Sequence, residues 1–562
     1  MKIYCTLFKK QFNYYRIFKN RVFSKNSVSE QRFHYYLLLP ALIMLFGNVY
    51  AHEIISRVSV DADVGGNGSS KSPTISADGR YIAFQSDADN LVPDDNNGFT
   101  DIFVYDRQTR KTRRVSVSSN GTETNFVSFF PVISADGRYV AFRSDASNLV
   151  EDDSNRTTDI FVQDQKTGIT KLVSVSSDGV QGNSTSSEPA MSAEGRYVVF
   201  HSNATNLVKK DTNKSLDIFL HDRQTRETTR LSVDSKGIEA KGTSFGAAIS
   251  AEGRYVAFSS NAANLVKDDK NKTMDVFVHD RESGETTLVS LDSHGKQGNA
   301  PSFQAALSAD GHFVAFRSRA TNLVQDDTNE VEDIFVHDRE TGETVRVNVN
   351  STGQQANNGD SFGVSLSADG RYVLFNADAD NLVADDDNNS TDVFIHDRKT
   401  GQTRRLTLLS QSDNYTAASS YAPVLSYDGR WIAFESKALN LVPNDFNETS
   451  DIFIYDQAYY ASYEVSTGVL YIPVLTMMPD FALFRAKLVA KNNKPLEFIL
   501  ERKSSFPIPL EGIPSVYHQE TRLLHLPRVE VFEPPKEIRR FEVEMRWDAK
   551  SDVFTTVQLK EE

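Results

Sequence analysis

Apolar and polar positions along this chain fall into one pattern that is spelled seven times. The clearest copy covers 76–117, SADGRYIAFQSDADNLVPDDNNGFTDIFVYDRQTRKTRRVSV. Its turn glycine recurs at Gly79, Gly137, Gly195, Gly253, Gly311, Gly370 and Gly429, with spacings of 58, 58, 58, 58, 59 and 59 residues. A period of that length and regularity marks a repeat architecture, in which each unit buries its apolar faces by stacking on its neighbours. Four strand signals fit in each unit. A short run such as 73–76 is followed by the turn Ala77-Asp78-Gly79 and a second strand at 80–84. In that second strand Tyr81 and Ala83 face one way and Ile82 and Phe84 the other, so both faces of the sheet are covered. The third strand is 101–105, and the fourth, 114–117, alternates polar and apolar as an outer strand should. Four-stranded antiparallel sheets repeated about an axis make a β-propeller, which leaves only short, protected edges.

The seventh unit runs into unrelated sequence after its third strand. A spare fourth strand, Arg57-Val-Ser-Val60, precedes the first unit and is expected to complete blade seven and tie the ring shut. Residues 464–467 compete for that place, but they fit a second, smaller repeat better. The segment 463–473 lines up with 517–527 at an offset of 54, and an alternating strand pattern follows each copy. The predicted fold class is therefore all-β. A seven-bladed propeller of four-stranded antiparallel blades, closed by an N-terminal strand, occupies 52–457, and a small β-rich C-terminal domain occupies 458–562. The SADGR, AF and DIFVYD elements resemble the TolB-like (WD40-like) β-propeller repeat over roughly 54–457. TolB itself has six blades and an α/β domain that has no counterpart in this pattern, so the resemblance implies the blade and not the Tol role.

Residues 1–51 stand apart. Eight Lys or Arg and a single acid, Glu30, precede the apolar run YYLLLPALIMLFGNV, which ends in small residues at Val49 and Ala51. This reads as a secretory signal. A single membrane anchor is the alternative, but about 15 apolar residues broken by Pro40 fall short of the ~20 needed to cross hydrocarbon. Cys5, the one cysteine, leaves with the leader, so no disulfide framework or cysteine metal site is expected after cleavage. The formal charge of −15 becomes about −22 once the leader is removed, which disfavours nucleic acid and anionic membrane and leaves divalent cations and basic partners open. The expected protein is exported to the periplasm or beyond, monomeric and without a membrane span after cleavage, with a protein or glycan partner.

Between the second and third strands every copy carries DxNxxxD. The seven sets are Asp95/Asn97/Asp101, Asp153/Asn155/Asp159, Asp211/Asn213/Asp217, Asp269/Asn271/Asp275, Asp327/Asn329/Asp333, Asp386/Asn388/Asp392 and Asp445/Asn447/Asp451. Oxygen donors in this spacing can wrap calcium, although three side chains supply only half of the 6–8 oxygens that the ion takes. The same residues can instead hold a hairpin loop as an Asx-turn. Both expectations stand at this point.

Other motifs dissolve into blade construction. Gly242-Thr-Ser-Phe-Gly246 and Gly359-Asp-Ser-Phe-Gly363 imitate a nucleophile elbow, but Ser244 and Ser361 lie nine residues before a turn glycine, where Ser70, Ser128, Ser186, Ser302 and Ser420 also sit. His221, His279, His337 and His396 share a slot with Tyr105, Gln163 and Tyr455, so that slot asks for a medium polar side chain and not a ligand. The innermost strand presents Ser72, Phe130, Glu188, Gly246, Gln304, Gly363 and Ala422 at the axis, with no histidine and no second carboxylate. Arg143 and Arg317, at the end of the second strand, carry the charge to help bind an anion, but an arginine in a blade more often makes inter-blade hydrogen bonds.

The long connections share one face of the ring, the usual place for binding on a rigid scaffold. The expected function is thus a non-catalytic exported binding or scaffolding propeller. The alternatives are an enzyme on extracellular or envelope polysaccharide, acting as a metal-assisted lyase or hydrolase, and a calcium-stabilised structural envelope protein. A mixed acidic, basic and histidine cluster at the axial mouth would mark the enzyme, and an acidic or aromatic rim the binder.

Overall fold

The computed structural model describes residues 55–457, except 62–63, 358, 385, 387, 408–417, 443–444 and 446; beyond 457 it describes the backbone of strands alone. The expected secretory signal at 1–51 lies outside the described residues. Seven four-stranded antiparallel sheets follow one another along the chain. Blade 1 is built from Ser70–Ile75, Tyr81–Ser86, Asp101–Asp106 and Lys111–Arg114, in that spatial order. Blade 7 takes Ser420–Leu425, Trp431–Ser436 and Asp451–Asp456 from the end of the repeat and Ile55–Arg57 from its beginning, with Ile55 opposite Tyr455. The N-terminal strand closes the ring as expected. Its rival contributes Glu464 to the strand Ala461–Glu464 of the C-terminal sheet.

Why the second and third strands are apolar on both faces is clear from where the core lies. It is divided among the seams between blades and not gathered at a centre. One seam packs Ile82, Phe84, Phe103 and Tyr105 of blade 1 against Ala433, Ile452 and Ile454 of blade 7. The opposite face of blade 1, with Ala83, Ile102 and Val104, packs against Val140, Phe142 and Phe161 of blade 2. Within each blade the second-strand and third-strand phenylalanines pair, as Phe84 and Phe103 do at 6.0 Å between ring centroids. Each such ring is fully buried and contributes about 2–3 kcal/mol by removal from water.

The SADGR turn is a joint between blades. Ser76 Oγ donates to Asp78 Oδ1 (2.7 Å), which also accepts from the Arg80 N–H (2.9 Å). Gly137 has φ +72°, and a Cβ there would lie 2.1 Å from the Tyr81 ring of the preceding blade, so the glycine is required twice over. Backbone bonds then run from turn to turn around this face: Ala77 donates to Ala135, Ala135 to Ala193, Ala193 to Ala251, Ala251 to Ala309 and Ala309 to Ala368, and Tyr427 donates back to Ala77. Arg80 grips Asp106 with two hydrogen bonds, 2.9 and 2.8 Å, and equivalent pairs recur around the ring. In blade 5 the arginine is replaced by His312, whose Nε2 lies 2.6 Å from Asp338.

The C-terminal strands form one eight-stranded sheet in two halves, Ala461–Glu464 to Glu497–Ser505 and Val516–His518 to Val553–Glu561. The short first strand of each half runs parallel to the long second strand of the other, with Ala461 opposite Val529 and Thr476 opposite Val516. The offset of 54 in the sequence is thus an internal two-fold exchange.

Candidate functional site

The DxNxxxD loops lie at one end of the blades, between second and third strands. In each loop the asparagine Oδ1 accepts a backbone N–H two residues on. Asn97 accepts from Phe99 (2.8 Å), Asn155 from Thr157 (3.1 Å), Asn213 from Ser215 (2.8 Å) and Asn271 from Thr273 (3.0 Å). Asn329 accepts from Val331 (3.4 Å), Asn388 from Ser390 (2.9 Å) and Asn447 from Thr449 (3.1 Å). These are Asx-turns. The amide nitrogen of the same side chain points at the closing aspartate: Asn213 Nδ2 donates to Asp217 (2.8 Å), Asn329 Nδ2 to Asp333 (3.1 Å) and Asn388 Nδ2 to Asp392 (2.8 Å). An asparagine that turns its N–H toward the carboxylate and spends its oxygen on the backbone does not present that oxygen to a cation. In this arrangement Asn213, Asn329 and Asn388 form the Asx-turn that was one of the two expectations for the loop. The final aspartate begins the third strand and is buried; Asp101 accepts from Ser116 Oγ (2.5 Å), Thr124 Oγ1 (2.9 Å) and Asn97 Nδ2 (2.7 Å).

Between the two aspartates of five blades stands a guanidinium from the fourth strand. Arg114 Nη1 lies 2.9 Å from Asp95 and 3.5 Å from Asp101. Arg230 is likewise placed between Asp211 and Asp217 (3.4 and 3.5 Å), and Arg346 between Asp327 and Asp333 (3.2 and 3.3 Å). Arg405 stands between Asp386 and Asp392 (2.7 and 3.3 Å), and Arg57 between Asp445 and Asp451 (2.9 and 3.3 Å). Blades 2 and 4 carry Leu172 and Leu288 at that position. In blade 4 the Gln297 amide takes the arginine's place, donating to Asp269 (2.9 Å) and Asp275 (3.0 Å). In blade 2, Asp159 is held by Ser174 (2.6 Å) and Asn155 (2.6 Å), while Asp153 Oδ1 is buried with no hydrogen-bond partner among the described residues. Burial pushes the carboxyls of Asp95, Asp159, Asp217, Asp275, Asp386 and Asp445 up to about 6. Among the described residues no three His, Cys, Asp or Glu side chains are grouped to hold a metal.

The recurrent histidines and serines are structural. His221, His279 and His337 each place Nδ1 2.9 Å from a fourth-strand threonine, Thr228, Thr286 and Thr344. Each threonine hydroxyl donates in turn to a carbonyl of the preceding blade: Val175 (2.5 Å), Val233 (2.6 Å) and Leu291 (2.5 Å). His396, Thr403 and Val349 repeat the arrangement. Ser244 Oγ bonds Ser260 Oγ (2.9 Å), and Ser361 Oγ accepts from Asn348 (3.0 Å), so neither is a poised nucleophile.

Symmetry breaks at the inner rim. Each innermost strand has a bulge just after its first residues, and the bulged residue is left-handed in every blade. These are Ser72 (φ +52°), Phe130 (+50°), Glu188 (+48°), Gly246 (+63°), Gln304 (+50°), Gly363 (+65°) and Ala422 (+50°). Beside the bulge runs the second-strand position that follows the AF pair, occupied by Gln85, Arg143, His201, Ser259, Arg317, Asn376 and Glu435. From this position a side chain reaches the next blade. Gln85 accepts from the Phe130 N–H (3.0 Å) and Glu435 from the Ser72 N–H (2.8 Å), while Asn376 donates to the Ser420 carbonyl (2.8 Å).

The expectation of an axis without a histidine or second carboxylate is therefore corrected, because His201 and Glu435 arrive from the second strand. His201 Nδ1 lies 3.6 Å from Glu188 Oε2, and Arg143 sits against the same pair, its Nη1 donating to Ser187 Oγ (3.1 Å). Burial, with the charge of Arg143 adding, pushes His201 down to about 4, so it is neutral at pH 7. Partial burial raises the Glu188 carboxyl, and burial raises that of Glu435. Buried atoms at this position have no partner among the described residues in five successive blades: Arg143 Nε, His201 Nδ1, Ser259 Oγ, Arg317 Nε and Asn376 Oδ1. Phe129 and Phe130 flank Arg143, with their centroids 5.2 and 5.4 Å from the guanidinium carbon. The signal for this site was the most variable position of a near-invariant element, filled by six residue types in seven copies.

No protein-family model and no curated protein matches the chain. Among solved structures it is similar to oligogalacturonate lyase from Vibrio parahaemolyticus, at 14% identity and a TM-score of 0.44, over 72% of this chain and 94% of that one. An oligogalacturonate lyase in complex with manganese is similar at 13% identity and a TM-score of 0.43, over 72% and 92%. TolB from Acinetobacter baumannii is similar at 16% identity and a TM-score of 0.31, over 54% and 61%. The non-catalytic binding or scaffolding role expected from the sequence is corrected to this extent: two of these three neighbours are named as lyases. At such identities the likeness itself shows the fold alone. The chain is a seven-bladed β-propeller.

Proposed function

We propose that the protein is an exported enzyme that cleaves extracellular or envelope polysaccharide at the axial mouth, with His201 as proton acceptor and Glu188 as its proton-exchanging partner. The observation that carries this is the Glu188–His201 pair, 3.6 Å apart on a rim where symmetry is broken. His201 is neutral at pH 7 and its Nδ1 has no hydrogen-bond partner among the described residues, so that nitrogen is open to a proton. The Glu188 carboxyl beside it, raised by burial, is the neighbouring group with which a proton can be exchanged. Half-exposed Phe130 offers an apolar face against which a sugar ring can lie. Backbone strain supports the same place. A left-handed non-glycine residue costs about 1–2 kcal/mol, and Phe130, Glu188 and Gln304 keep full side chains where Gly246 and Gly363 serve in other blades. The donors do not match a resident metal, because among the described residues His201 and Glu188 are the only such ligands within ion-pair reach of each other at the rim.

The test is cleavage of a panel of acidic and neutral polysaccharides by the full chain, read as new reducing ends and as the ultraviolet absorbance of unsaturated products. His201→Ala and Glu188→Gln should abolish cleavage while leaving the melting temperature near that of the parent. Cleavage that persists in both variants would refute the assignment.

A second reading concerns the loops. Calcium, if it binds, is confined to blade 2, favoured by the unpartnered Asp153 Oδ1 where other blades hold an arginine or Gln297. A melting temperature lowered by EGTA in the parent but not in Leu172→Arg supports it, and an unchanged melt removes it.

A further inference from the structure

We infer that the unit bound at the axial mouth is anionic, a sugar bearing a carboxylate or a sulfate, and that Arg143 is the residue that recognises it. This rests on the axial-mouth reading above and names its substrate class. Two arginines occupy the inner rim, and they differ in one respect. Arg317 is neutralised by Glu332 at 2.9 Å, and Glu332 is shared with Arg319 at 2.9 Å. Arg143 forms no ion pair among the described residues; its one hydrogen bond goes to the neutral Ser187 hydroxyl. The guanidinium instead lies against Phe129 and Phe130, with Glu188 near enough to feel its charge but outside ion-pair distance. An arginine placed in this way on a half-buried rim, in a protein whose overall charge is strongly negative, retains a forked donor for an external anion. It stands against Glu188 and His201, so a bound anionic unit is delivered to the acid–base pair.

A hydrophobic ligand would explain the phenylalanines but leave the guanidinium unanswered. A neutral glycan would leave it equally unused.

Calorimetric titration of the full chain with three oligosaccharides of equal length, one uronate, one sulfated and one neutral, tests the inference. The uronate or the sulfated ligand should bind at least tenfold more tightly than the neutral one, and that preference should weaken as salt is raised. Arg143→Gln should lower affinity for the anionic ligand by about 10- to 100-fold and leave the neutral one unchanged. Arg143→Lys should recover part of the loss, and Arg317→Gln should change affinity less than twofold. The salt series on the parent protein keeps the test decisive if Arg143→Gln fails to fold. Equal affinity for all three ligands, or no binding of any, overturns the inference. Cleavage is scored separately. Neutral glycans bound and cleaved as well as anionic ones would sink the anionic assignment and spare the enzymatic reading, whereas anionic glycans bound but never cleaved would do the reverse.

Discussion

Acidification should loosen this ring through its buried histidines, and the effect can be sized. His221 and His396 are 5 and 6% exposed, and burial holds both down to about 4. The Thr228 hydroxyl gives its proton to the Val175 carbonyl, so it must accept from His221 Nδ1–H; a second proton would have to go to Nε2, in the apolar seam. In the unfolded chain the same ring titrates near 6.5. The unfolded state therefore binds more protons between those values, and the stability held by a neutral histidine is complete above about 6.5 and drains away as pH falls toward 4. At pH 5 the loss comes to about 2 kcal/mol for each of these two histidines. Blade 2 has Gln163 in the slot, so His221→Gln and His396→Gln are substitutions the fold already accepts. Urea denaturation at pH 7.5 and 5.0 is the assay. Each variant should be slightly less stable than the parent at pH 7.5 and should gain about 2 kcal/mol relative to it at pH 5.0. The comparison with the parent cancels the buried aspartates, whose raised values work in the opposite direction. A difference between variant and parent that does not change with pH would refute the argument.

Gly137→Ala and Gly121→Ala form a matched pair. Both glycines are left-handed, at φ +72° and +84°, but a Cβ at 121 meets nothing within 4 Å whereas one at 137 lies 2.1 Å from Tyr81. The first should cost about 3 kcal/mol or more and the second about 1 kcal/mol in unfolding free energy. Glu188→Gly should stabilise the fold by about 1 kcal/mol, by relieving the φ of +48°, while abolishing cleavage; a destabilised variant would contradict the strain argument. His312→Arg should restore the two-pronged grip on Asp338 that the other blades have and raise stability by less than about 1 kcal/mol. A melt that falls would mean that blade 5 has adapted to the imidazole.

Repeat number, blade construction and closing strand could all be read from the sequence, because each rests on copies that agree. The RVSV element ahead of the first blade identified the partner of Asp451–Asp456, and the segment that pairs is Ile55–Arg57, with the Val58 N–H donating to Ile452 just beyond it. The site was less accessible because it depends on a bulge. A left-handed Ser72, Phe130 or Glu188 carries no sequence signature, since only glycine advertises that conformation. Without the bulge, the slot of His201 and Glu435 reads as one more blade-packing position. The loop arginines were hidden differently. Arg114 lies thirteen residues from Asp101 in an outer strand whose alternation gave it to solvent, yet it is 7% exposed and turned into the loop. Repetition left metal and Asx-turn both open in seven loops, and in five of them the chain places an arginine between the two aspartates.

The closing strand sets an order of events. Ile55 and Tyr455 are among the first and last residues of the ring, so synthesis delivers one partner long before the other. Until blade 7 emerges, the nascent propeller is an open arc with a bare sheet edge at its end and an unused strand at its start. A partner so distant in the chain makes closure a late step with a large entropic cost. Opening should begin at the same place, since this blade alone is not held together by continuous chain. Ring integrity then depends on the few residues around Ile55–Arg57, and trimming them would undo the last blade before it touched any other.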